Sequence, residues 1–79
     1  MKKEADGVRY STHDLNVAGF LIARGFPMLD MTPDGSFRKV FHFSAEAGEL
    51  APEFYRDAPV PARSFANAIR DLKARVLAT

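Results

Sequence analysis

Apolar residues recur along this chain at two different periods, and the change of period marks its elements. From Leu15 to Ala23 the only polar residue is Asn16. Leu15, Ala18, Gly19 and Ile22 share one stripe at helical spacing, but Val17, Phe20 and Leu21 fall off it. A helix at about 13–24 that is apolar on more than one side has two explanations. It is wedged between other elements, with Gly19 allowing close approach, or it offers Val17, Phe20 and Leu21 to a partner protein or a second copy. Ser11 or Thr12 is the expected N-cap, with Asp14 in the first turn, and Gly25 is the expected left-handed end.

Beyond Gly25 the period shortens to two. Segments at about 28–31 and 37–43 flank Thr32, Pro33, Asp34, Gly35 and Ser36, whose proline and glycine are turn chemistry, so a β-hairpin is predicted. In its second strand Phe37, Lys39, Phe41 and Phe43 point one way, toward the expected core, and Arg38, Val40 and His42 the other. Val8 to Tyr10 adds a short N-terminal strand. A middle helix is expected at about 49–56, because proline at Pro52 belongs in a first turn; it should bury Leu50, Phe54 and Tyr55. The last helix, at about 62–77, is the clearest amphipathic segment: Phe65, Ala68, Ile69, Leu72 and Val76 line one stripe, opposite Arg63, Asn67 and Arg70.

The fold class that follows is α+β, a small antiparallel sheet built on a hairpin and covered by helices. Residues 8–79 should form a single compact domain behind a flexible tail at 1–7. A hydrophobic share of 47% suffices for a core. Without cysteine there is no disulfide or thiolate metal site. No apolar run approaches the roughly 20 residues of a membrane span, and Glu4 and Asp6 interrupt what Lys2 and Lys3 would begin as a signal peptide. A cytoplasmic protein without membrane association is expected.

Net charge is only +1, so no overall field draws the chain to nucleic acid. Charge is nevertheless polarised. Arg63, Arg70, Lys73 and Arg75 make the last helix basic, whereas Glu46, Glu49, Glu53 and Asp57 make the middle segment acidic. The basic residues are candidate phosphate contacts, although an amphipathic helix ordinarily carries such residues on its wet side. The acidic residues have the spacing of a solvated helical face. His13 beside Asp14, and the distant His42, lack the further ligands or the oriented partner that metal binding or catalysis requires. With no nucleophile elbow, phosphate-binding glycine loop or zinc spacing, no catalytic, cofactor or metal residue is expected, and the chain does not read as an enzyme.

Tyr10, Ser11, Thr12, Asp14, Leu15, Ala18, Leu21 and Gly25, the strand Val40 to Phe43, and then Val60, Ala62, Phe65, Ala66, Asn67, Ala68, Ile69, Leu72 and Lys73 form a pattern spread over nearly the whole chain. In this spacing the sequence resembles a family of small bacterial and phage-encoded domains of unknown function. It departs from that pattern at Pro52, where such domains look continuously helical, and at Pro61, where a polar cap is expected. The resemblance implies a compact domain carried by a bacterium or mobile element, and no activity. Two functional expectations follow: a non-enzymatic interaction module that dimerises or binds a protein, or an accessory protein binding nucleic acid weakly through its basic last helix.

Overall fold

The computed structural model describes residues 9–35 and 38–78. The expected tail at 1–7, the strand start at Val8, Ser36 in the turn and the core position of Phe37 lie outside the described residues. In chain order the elements are β1 (Tyr10–Thr12), α1 (Leu15–Ala23), β2 (Asp30–Asp34), β3 (Arg38–Phe43), α2 (Ala45–Leu50), α3 (Pro52–Tyr55) and α4 (Ala62–Ala78). The strands form one antiparallel sheet in the order β1-β3-β2. The fold is α+β.

Alternation along β3 sorts the sheet into two faces. Phe41 and Phe43 are buried under the helices with Val17, Ala18, Phe20, Leu21, Ala47 and Leu72. Arg38, Val40 and His42 belong to the opposite face. Helix α1 lies inside this arrangement. A Cβ on Gly19 would come within 2.6 Å of the Ile69 side chain of α4, so the absence of a side chain is what lets the two helices meet there. The Phe20 ring meets the Phe54 ring of α3 edge-on, with centroids 5.8 Å apart. A helix covered by the sheet, α4 and α3 keeps only Asn16 exposed, which explains why its pattern lacks a polar face.

Several boundaries differ from the sequence pattern, each for a local reason. Asp14, not Ser11 or Thr12, caps α1: its Oδ1 accepts the amides of Asn16 at 2.9 Å and Val17 at 3.4 Å. Ser11 and Thr12 are held in β1 by pairing with His42 and Phe41. The first hairpin strand runs through Asp30–Asp34 rather than 28–31 and includes Pro33, a residue assigned above to the turn. Proline is tolerated there because β2 is an edge strand. Helix formation after β3 begins at Ala45, not near residue 49, since the Ser44 hydroxyl caps the amide of Ala47. Gly48 is accommodated in α2 because Tyr10 packs over it, so closely that a Cβ would lie 2.8 Å from that of Tyr10. Pro52 starts a separate turn, α3, at a position where no amide hydrogen is required. Tyr55, expected in the core, is 70% exposed.

Helix ends follow two versions of one motif. At the end of α1, Gly25 adopts φ 103°. The amides of Gly25 and Phe26 bond back to the carbonyls of Ile22 and Leu21. At the end of α3 the same left-handed position falls to Asp57, with φ 62°. No helix among the described residues is long and apolar enough to cross a membrane.

Candidate functional site

The residues that sequence offered as an interface are interior. Val17 and Leu21 have no exposure and Phe20 has 1%; all three are consumed by contacts within the chain and present no surface to a partner. Between the two explanations of the apolar helix, the structure selects the wedge.

The candidate phosphate contacts Arg63, Arg70, Lys73 and Arg75 are all exposed, but they do not form one row. At 100° per residue Arg63 and Arg70 share the outward face, and Lys73 and Arg75 turn to opposite flanks. Their neighbours confirm the divergence. Arg75 lines a cleft with Ile22, Met28 and Asp71, whereas Lys73 lines another with Leu15, Val76 and Leu77. The acidic residues are also divided, because the helix breaks at Ala51; Glu53 is engaged by Arg56 at 3.0 Å.

The cleft at Lys73 adjoins a further one, of about 220 Å³, lined by His13, Leu15, Arg38, Lys39, Phe41 and Val76. Leu15 and Val76 line both. Together they make a groove where the start of α1, the C-terminal turns of α4 and the first half of β3 meet. Its floor is apolar, and Leu77 at its end is 85% exposed, the most of any large apolar residue among those described. Its rim is cationic: the charged groups of Arg38, Lys39 and Lys73 pair with no described residue. Of these only Lys73 stood out in sequence. Arg38 and Lys39 point to opposite faces of a strand, and nothing in their local pattern places them beside a helix more than 30 residues away.

On the uncovered face of the sheet, Ser11, His42 and Asp30 occupy one row across the three strands. His42 is tied into it by both ring nitrogens, Nδ1 lying 2.8 Å from Ser11 Oγ and Nε2 2.8 Å from Thr32 Oγ1. The row contains the residue types of an acyl-transfer triad without its connectivity. Asp30 Oδ1 accepts the Met31 amide instead of orienting the imidazole. His13, on the same side, lies with Nε2 2.6 Å from Asp34 Oδ2. No group of three or more His, Asp or Glu among the described residues is placed to hold a metal ion. Near the start of α1, Tyr55 donates its hydroxyl to Asp14 Oδ2 at 3.4 Å. Partial loss of hydration and the adjacent Asp14 carboxylate raise its pKa above the ordinary tyrosine value.

Fold and groove together define a one-sided α+β sheet domain with a basic, apolar-floored groove at one end. By sequence the chain belongs to the DUF5659 family, a domain of unknown function, which it matches over residues 8–78. This agrees with the domain-of-unknown-function resemblance drawn from residue spacing. No curated protein matches the chain, and no solved structure does.

Proposed function

We propose that this protein is a small non-enzymatic interaction module that docks a partner protein through the groove between α1, α4 and β3. The observation that carries the reading is the convergence of Arg38, Lys39 and Lys73 around the floor formed by Leu15, Phe41 and Val76. Cations that pair with no described residue, beside exposed apolar surface, are poorly used by a monomer. A partner bringing carboxylates and apolar side chains together would satisfy both. Phosphate-backbone binding draws less support. The basic residues of α4 diverge, and among its described residues the sheet's open face, with Ser11, Val40 and His42, lacks the aromatic platforms on which single-stranded bases stack.

The test is affinity capture from the native host with wild-type protein and with the Arg38→Glu, Lys73→Glu variant, each with and without nuclease. Both residues are exposed, so circular dichroism should show the fold retained. The reading expects a saturable protein partner that survives nuclease and is lost with the charge reversal. Capture that depends on nucleic acid, or that is unchanged in the variant, overturns it.

A further inference from the structure

The docking surface has two chemical demands, and the sheet edges add a third. Strand β2 is one exposed edge, and an incoming strand would need its outward amides. Pro33 has no amide hydrogen, and Met31, two residues earlier on the same side of the strand, has its amide taken by Asp30 Oδ1 at 2.8 Å. This edge is therefore closed to strand addition. The other edge, β1, spans only Tyr10–Thr12. Recognition by β-augmentation has little to hold, whereas the groove offers side chains and no unpaired strand.

We infer that the occupant of the groove is an acidic amphipathic helix of a partner protein, its apolar stripe laid on Leu15, Val76 and Leu77 and its carboxylates facing Arg38, Lys39 and Lys73. The inference rests on the reading of the groove as the docking surface and adds the partner's conformation and charge. A helix fits because its apolar residues recur at three and four positions with polar ones alongside, so one ligand face carries both kinds of group. The sign of the charge follows from complementarity. A basic helix would bring its cations against three that pair with no described carboxylate, at a cost in the partly desolvated rim.

The experiment uses two fluorescent designed peptides of about 15 residues, long enough to form a helix against a surface. Each carries leucine at every third or fourth position, flanked by glutamate in one and lysine in the other. Anisotropy titrations of the full chain should show binding of the glutamate peptide that weakens as ionic strength rises to about 0.15 M. Amide shifts should concentrate at Leu15, Phe41, Lys73, Val76 and Leu77. Arg38→Glu with Lys73→Glu should weaken that peptide about tenfold and reverse the preference in favour of the lysine peptide. This exchange of specificity is a gain of binding that an unfolded variant could not produce. A duplex DNA and an anionic phosphatidylserine vesicle serve as competitors. Equal binding of the two peptides, shifts confined elsewhere, absence of binding, or preferential capture of DNA or vesicles each overturns the inference. If a nuclease-resistant partner is still lost on charge reversal while the glutamate peptide fails, the groove stands as a docking surface and only the acidic helix is refuted.

Discussion

Helix α1 buries Val17 to Leu21, five consecutive residues of its nine, between the sheet, α4 and Phe54, whereas α4 buries one stripe of seventeen residues and leaves the rest in water. The two helices touch at Gly19, yet they answer to different constraints. An internal helix is specified by what fits around it. A covering helix is specified by one face, so the other is free to carry charge. Apolar excess and basic excess, both candidate binding features in the sequence, therefore belong to different categories here. The excess on α1 is packing, and the charge on α4 becomes relevant only where that helix borders other elements.

The sharpest way to break this contrast is to truncate the centre of α1. Phe20→Ala removes a ring that is 1% exposed and in edge contact with Phe54. It should cost about 3–5 kcal/mol in urea unfolding, a large part of the stability of so small a domain. A loss below about 1 kcal/mol would mean that α1 is not the internal helix described.

A smaller effect probes the contact between the helices. Gly19→Ala improves helix propensity by roughly 1 kcal/mol but places a methyl against Ile69, so the net change should be a destabilisation of about 1–3 kcal/mol. Combining it with Ile69→Val, which removes the atom 2.6 Å from the new Cβ, should recover part of that loss. Strict additivity of the two substitutions would count against a close approach at this point.

The least effect is expected on the wet face of α4. Arg63→Ala and Arg70→Ala should each change stability by no more than about 0.5 kcal/mol, since both side chains are exposed and, among the described residues, Arg70 bonds to Asn67 of its own helix. A cost near that of Phe20→Ala would erase the distinction between the helices.

The alternating pattern of β3 and the apolar stripe of Phe65, Ala68, Leu72 and Val76 were sufficient to predict which faces are buried, because side-chain periodicity is a local property of strand and helix. Gly25 and Pro52 likewise announced a left-handed helix end and a first-turn position, as backbone restrictions act within a few residues. The α+β class was legible on these grounds. The interior position of Val17, Phe20 and Leu21 was not, since an apolar helix reads alike whether a neighbour from the same chain or from another covers it. Capping by Asp14 rather than Thr12 depended on strand pairing with Phe41, a residue distant in sequence. The groove was equally beyond local pattern. Lys73 belongs to one helix and Arg38 and Lys39 to a strand, and only the packing of α1 and α4 against β3 sets their charges around Leu15 and Val76. Local chemistry specified the elements, while long-range packing decided which of their surfaces remain available to a partner.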